Sequence, residues 1–381
     1  MRTFCSILFL IIIFFIFYYF NLISNNNKYQ NKINNYKILE VSNIKKNIAI
    51  IMVIEGELND YNKESYQTIK CYSLQNNYSF QVVSKFLYPD LFINCKQTNF
   101  IFRRHCVVAK FAEKYQSIFK YIIFVSNKVG VINPLHKIEK YLPRKGEEII
   151  FYEKISQNEI STESYILKNT NYSRNLLKFF ANYICSVPKK YSNSDNSAIQ
   201  AVFVTLFGGD KYLNVYNHCI NLWFNETILF DNTVFESCMK WILKKLNENK
   251  GDKYYMLFDD KRVVLLTKFS TRTWIRSGLL NNWHFSKKDF FFNEWETNKV
   301  SIINPIFKTN FIPTDNLCKS SNYLSAWNYN PSINVSNKVI ENIINNLSLS
   351  SENNYYMNLT LCNLYKVSTS KKRTYLKIIY N

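Results

Sequence analysis

Glycine and proline are scarce in this 381-residue sequence, seven of each, and the few glycines never fall into Gly-x-Gly-x-x-Gly or a phosphate loop. The glycine-rich nucleotide cradles are therefore excluded. Histidine is scarcer still, at four residues (His105, His136, His218 and His284). No His-x-x-x-His and no Gly-x-Ser-x-Gly occurs, so zinc-hydrolase and α/β-hydrolase chemistry have no motif to rest on. The nine cysteines stand too far apart for zinc clusters, which want closely spaced pairs. No internal repeat is present.

Acidic residues are also few: 28 against 48 lysines and arginines, a formal charge of +20. Such an excess can mark nucleic-acid binding through phosphate contacts. Here, however, the basic residues are scattered and not gathered in a stripe, and Lys, Asn, Ile, Phe and Tyr are enriched together, as an A+T-rich coding bias would produce. No nucleic-acid partner is expected. A basic surface instead favours acidic partners such as nucleotide diphosphates, sulfated glycans or anionic headgroups. An apolar content of 47%, with 17% aromatic residues, supplies the surface a folded core needs.

What the chain does have is one long apolar run, residues 5–20 extended by Leu22 and Ile23, close to the roughly 20 residues that cross a bilayer. No small-x-small cleavage site follows it, and Arg2 lies on its short side. The expectation is a signal-anchor membrane segment over 1–23 with the N-terminus in the cytosol, a type II protein of the Golgi or endoplasmic reticulum lumen. Cleavage near Ser24 is the alternative, and it would secrete the remainder. Residues 24–46, rich in Asn, Lys and Tyr, read as a stem. In an oxidising lumen some of the eight exported cysteines pair. Sequons at Asn77, Asn171, Asn225, Asn334, Asn346 and Asn358 agree with export.

The run 48–54, closed by Glu55-Gly56, predicts a strand buried on both faces. A helix over 61–74, a strand over 78–83, a helix over 102–115 and a second buried strand over 121–125 follow. Strands over 147–152 and 164–167, and helices over 173–184, 194–206 and 236–246, extend the pattern. Asp259-Asp260 lies between apolar runs at 255–258 and 263–266, which predicts a hairpin turn more readily than a carboxylate pair. Beyond residue 301 the chain is Asn-rich, and one helix, 337–347, can be placed. Alternating strands and helices indicate a parallel α/β sheet, whose ligands bind beyond the carboxyl ends of the strands. The stretch after Val125 is therefore the first place to look for chemistry.

Several strings carry a resemblance: Phe102-Arg103-Arg104-His105-Cys106-Val107-Val108-Ala109; FVSNKVGVINP over 124–134; YILKNTNYSRNLLKFFANY from Tyr165; Ser194-Asp195-Asn196-Ser197-Ala198-Ile199; Trp274-Ile275-Arg276-Ser277-Gly278; and Asp289-Phe290-Phe291-Phe292. In this order, over about 48–296, they resemble a nematode family known as domain of unknown function 273 and grouped with nucleotide-diphospho-sugar transferases. That family is similar in turn to galactosyl- and mannosyltransferases of the GT-A fold. The resemblance implies a GT-A-like α/β domain over 47–300 with a mixed, mostly parallel sheet flanked by helices, standing after the N-terminal transmembrane helix read above and before a C-terminal extension over 301–381 that the resemblance does not reach. It also implies a nucleotide sugar as donor substrate and a glycan as acceptor.

Departures from the family pattern are as informative. Its Leu-Asp-Ala-Asp-Ile-Gly-Val-Val-Asn-Pro, whose two aspartates hold a divalent metal against the diphosphate, is matched here by residues 125–134, with Ser126 and Lys128 in the aspartate places. A histidine that would be a third ligand is matched by Asn293. A hard cation needs anionic oxygen donors, and these three supply none. No metal is expected. Either catalysis is weak or lost and the cleft binds glycans or partners, or the Lys128 ammonium stands in for the metal at the leaving diphosphate in a metal-independent transferase. Metal stabilisation is worth several kcal/mol, which one flexible lysine replaces only in part, so loss is the favoured reading.

The resemblance also implies Asp195 as the carboxylate at the acceptor or transferred sugar, with Arg103, Arg104, Ser126, Lys128 and Asn196 toward substrate. Plainer readings stand beside these: Asp195 at a helix N-terminus, Arg103 and Arg104 on a solvated helix face, and a structural His284.

Overall fold

The computed structural model describes residues 47–56, 63–225, 232–248, 252–295 and 305–363. The proposed anchor over 1–23 and the stem lie outside them. Among the described residues no helix is long and apolar enough to cross a membrane.

Among the described residues ten strands and nine α-helices follow in chain order. They are β1 Ile48–Val53, α1 Lys63–Asn76, β2 Ser79–Val83, α2 Pro89–Ile93, α3 Phe100–Lys114, β3 Tyr121–Val125, β4 Gly130–Val131, β5 Ile149–Glu153, β6 Ile160–Lys168, α4 Asn171–Asn182 and α5 Asp195–Phe207. After these come α6 Leu213–Phe224, α7 Asn232–Asn247, β7 Tyr255–Phe258, β8 Val263–Leu266, β9 Ile275–Ser277, β10 Phe291–Asn293, α8 Asp315–Lys319 and α9 Asn337–Leu361.

Seven strands form the central sheet in the order β2-β1-β3-β6-β5-β8-β7. Strands β2, β1, β3, β5 and β8 run one way, while β6 and β7 are antiparallel to their neighbours. The fold is mixed α/β with a mostly parallel sheet flanked by helices. Every residue of β1, β5 and β8 is buried, as a sheet covered on both faces requires. Alternation assigns the faces. Ile48, Ile50 and Met52 point into a core shared with Ile69 and Tyr72 of α1, with Trp295, and with Phe307, Phe311 and Trp327 of the C-terminal segment. On the opposite face His105 of α3 meets Phe124 edge-on at 5.9 Å, and Phe203 of α5 meets Phe151 at 5.5 Å.

A second sheet, β4-β10-β9, none of whose strands is predicted from the periodicity, stands beside the carboxyl edge of the first. Its close approach depends on small residues. A Cβ on Gly130 would lie 2.5 Å from the Trp295 ring, and one on Gly278 would lie 2.2 Å from the Trp283 ring. The 255–266 segment is the expected hairpin, turning through Asp259, Asp260 and Lys261 at positive φ.

Three elements are longer than expected, and the first is α7, expected over 236–246, which begins at Asn232. Strand β6, expected over 164–167, begins at Ile160; Ser161, Thr162 and Glu163 break the apolar pattern, yet the strand pairs with β5 as far as Ile160. Helix α9, expected over 337–347, continues to Leu361. Its second half buries small polar residues, Ser348, Ser351 and Asn358, and so shows little apolar periodicity. Three disulfides form: Cys71–Cys318, Cys95–Cys106 and Cys219–Cys238. The first ties α8 to α1. Cys185 is free and exposed.

Candidate functional site

The parallel strands β1, β3, β5 and β8 end at one edge, and there the residues singled out above fall into three places. After β3 the chain turns sharply: the Ser126 N–H donates to the Glu163 carbonyl at 2.8 Å and Ser126 Oγ accepts from the Lys128 N–H at 3.3 Å. Ser126 is buried and Lys128 is exposed. The Lys128 carbonyl accepts from Trp295 N–H at 2.8 Å, which stitches this turn to the segment leaving β10.

Beneath the edge lies a buried ion cluster. Arg104 Nη2 donates to Asp195 Oδ2 at 2.6 Å and to Thr162 Oγ1 at 3.2 Å, with Glu163 at 3.8 Å. His105 Nε2 is 3.0 Å from Asp195 Oδ2, and its Nδ1 is 3.0 Å from the Tyr165 hydroxyl. Burial pushes His105 down to about 4, so the ring is neutral near pH 7, with one nitrogen donating and the other accepting. Burial opposes the Asp195 charge, but Arg104 and His105 outweigh it and hold the carboxyl at about 2. Asn196 Oδ1 accepts from the N–H and hydroxyl of Thr162, both at 2.8 Å, and so fixes the start of α5 to β6. Arg103 spends its Nε–H on the Gln97 carbonyl at 2.6 Å.

The two arginines therefore part company. Arg104 is buried, not on a solvated face, because α3 turns it under the sheet toward Asp195, while Arg103 remains half-buried at the surface. His284 is structural, with Nδ1 2.8 Å from the Asn281 carbonyl.

The third place is a cleft between the end of β5 and the small sheet, enclosing about 170 Å³. Glu153, Lys154, Ser156 and Gln157 line one side; Arg276, Ser277, Asn293 and Glu294 line the other; Ile155, Leu279 and Leu280 supply apolar surface. Its charged groups are committed to partners. Glu153 pairs with Lys240 at 3.0 Å, Lys154 with Glu159 at 3.0 Å, and Glu294 bonds the Ser277 hydroxyl. Arg276 makes a bidentate pair with Asp289, at 2.6 and 3.0 Å, and also bonds Asn281 and two carbonyls. The neutral Asn293 differs: it is 3% exposed and its Oδ1 is buried with no hydrogen-bond partner.

Of the three positions matched to family metal donors, Asn293 thus lines the cleft, whereas Ser126 and Lys128 do not. A serine hydroxyl, an ammonium and an amide do not fit a divalent cation, which requires anionic oxygens. Among the described residues no group of three or more His, Cys, Asp or Glu is placed to hold a metal ion.

Sequence reasoning missed His105, Tyr165, Glu153, Lys154, Glu163 and Glu294. For Glu153 a signal existed, a carboxylate closing an otherwise apolar strand.

No curated protein matches the chain. Among solved structures it is similar to a glycosyltransferase involved in the glycosylation of the major capsid of PBCV-1, at 14% identity and a TM-score of 0.29, over 35% of this chain and 65% of that one, just under two thirds of its length. The family model described as protein of unknown function, DUF273, matches residues 69–307, more than half of the sequence, and the chain belongs to that family.

Proposed function

We infer that this is a glycosyltransferase-like protein of the secretory pathway, held to the membrane by residues 5–23, whose metal site has decayed and which performs little or no metal-dependent sugar transfer. One observation carries the reading: the positions matched to metal donors hold Ser126, Lys128 and Asn293, with no anionic oxygen among them. The nearby carboxylates do not make good the loss. Glu153 is paired with Lys240, Glu294 with Ser277, and Asp195 is enclosed with Arg104 and His105. Asp195 in this reading is a positioning residue, because it holds α5 against α3 from beneath the edge. The arrangement of strands also supports the reading, since a mostly parallel sheet presents its ligand site at the carboxyl edge.

The test is a titration of the purified protein with a panel of sugar nucleotides, with and without Mn²⁺. Nucleotide-sugar binding that Mn²⁺ leaves unchanged is expected, with no transfer above background. Tight Mn²⁺-dependent binding would sink the reading. Metal-free turnover that Lys128→Ala abolishes would replace it with a transferase that uses the exposed Lys128 ammonium at the diphosphate.

A further inference from the structure

The cleft at the end of β5 has four properties that together define a ligand. Its volume of about 170 Å³ falls below the roughly 300–1,000 Å³ of sites that enclose drug-sized molecules, so a whole nucleotide sugar does not fit inside. Of its four charged walls, Glu153, Lys154 and Arg276 are each neutralised by an opposite charge within the protein, and Glu294 accepts from the Ser277 hydroxyl. Neither cationic wall is left free to select an anion such as a diphosphate. Its floor is apolar at Ile155, Leu279 and Leu280. The Asn293 Oδ1, meanwhile, is buried and unpartnered, and a buried acceptor left unmet is costly, so its presence beside a cleft points to a donor supplied from outside.

A neutral ring with an apolar face and outward hydroxyl donors satisfies all four. We propose that this cleft binds one neutral sugar residue of a glycan, with a ring hydroxyl donating to Asn293 and a C–H face against Leu279 and Leu280. The inference rests on the glycan-handling reading above and narrows it: the occupant is a sugar without its nucleotide, so the cleft is a place where an acceptor or a recognised glycan sits.

The test uses the full chain in a zwitterionic detergent free of sugar headgroups. Saturation-transfer NMR is recorded with methyl β-galactoside, methyl α-mannoside and methyl β-glucoside, and then with uridine diphosphate as competitor. At least one glycoside is expected to bind, uridine diphosphate is not expected to displace it, and Asn293→Leu weakens it about tenfold. Should Asn293→Leu fail to fold, Ser156→Trp is the second variant, since Ser156 is exposed at the rim and its enlargement blocks the cleft without touching the core. Loss of binding in Ser156→Trp with an unchanged melting curve supports the assignment. Absence of binding by all three glycosides, displacement by uridine diphosphate, or undiminished binding in both variants overturns it. The two readings fail separately. Turnover of sugar nucleotides without glycoside binding sinks only this assignment, and glycoside binding in a protein with no affinity for any sugar nucleotide sinks only the transferase-like reading.

Discussion

Arg104 and Asp195, 91 residues apart in the chain, meet at 2.6 Å beneath the carboxyl edge of the sheet, both shielded from solvent. Removing one partner of a buried pair leaves the other charge uncompensated. Asp195→Asn is therefore expected to cost about 3–5 kcal/mol of stability, measured by urea unfolding. Because the Asp195 carboxyl is held at about 2, its contribution is fully present above the unfolded value near 4 and is lost as pH falls through about 2. If Asp195→Asn kept wild-type stability but lost ligand binding, the carboxylate would act on a ligand and not as a strut.

The Cys71–Cys318 bridge closes a 247-residue separation and fastens the C-terminal segment over α1. Its removal in Cys71→Ala/Cys318→Ala is expected to cost about 2–5 kcal/mol. Limited trypsin digestion should then cut first at Lys308 or Lys319, sites that flank the released α8. Unaltered digestion and unaltered unfolding would mean that aromatic packing of Phe307, Phe311 and Trp327 holds this segment unaided.

Strands β1 and β3 were legible because sheets covered on both faces need unbroken apolar runs, and 48–53 and 121–125 are such runs. The carboxyl edge of the sheet could be located for the same reason. The small sheet was not legible: two- and three-residue strands have no period to detect, and their pairing is fixed by distant partners such as Phe292 with Gly130. The second half of α9 escaped notice because it docks through polar residues. Ser351 accepts from Lys268 Nζ at 2.6 Å and Asn358 donates to Ser237 Oγ at 3.0 Å, so no apolar stripe marks the buried face. The site divided likewise. Asn293 was found by comparison with a pattern, but its unmet acceptor and the commitment of its cleft's charges to partners are properties of three-dimensional pairing.

Asn358 makes one sequon unlike the rest. It is 6% exposed and donates to the Thr233 carbonyl at 3.2 Å, whereas Asn77, Asn171, Asn225, Asn334 and Asn346 are exposed. A glycan at Asn358 is incompatible with α9 lying on α7. Peptide mapping after enzymatic deglycosylation of the folded protein is expected to show modification among those five and none at Asn358. A glycan at Asn358 in folded protein would mean that α9 is not docked there.

The docking of α9 also makes a pH prediction of unusual sign. Lys268 lies among Lys240, Lys244, Glu153, Glu352 and Asn158, its Nζ 3.6 Å from Glu352 and 3.3 Å from Asn158 Oδ1. Burial, and then the neighbouring Lys240 charge, push it down to about 8. An unfolded lysine titrates near 10.4, so between about 8 and 10 the unfolded chain holds a proton that the folded protein has released. Stability contributed by this group therefore rises with pH across that window. The buried tyrosines of the same region, Tyr152 and Tyr355, are pushed up by burial; they favour the folded state below their own unfolded value near 10 and weaken it only above that. Urea unfolding at pH 8, 9 and 10 is expected to show a midpoint that rises to about pH 10 in the wild type and rises less in Lys268→Met, where Lys244, also pushed down by burial and by Lys240, still contributes. Equal slopes in the two proteins would mean that Lys268 keeps its proton in the folded state, with Glu352 and Glu153 outweighing the two neighbouring ammoniums.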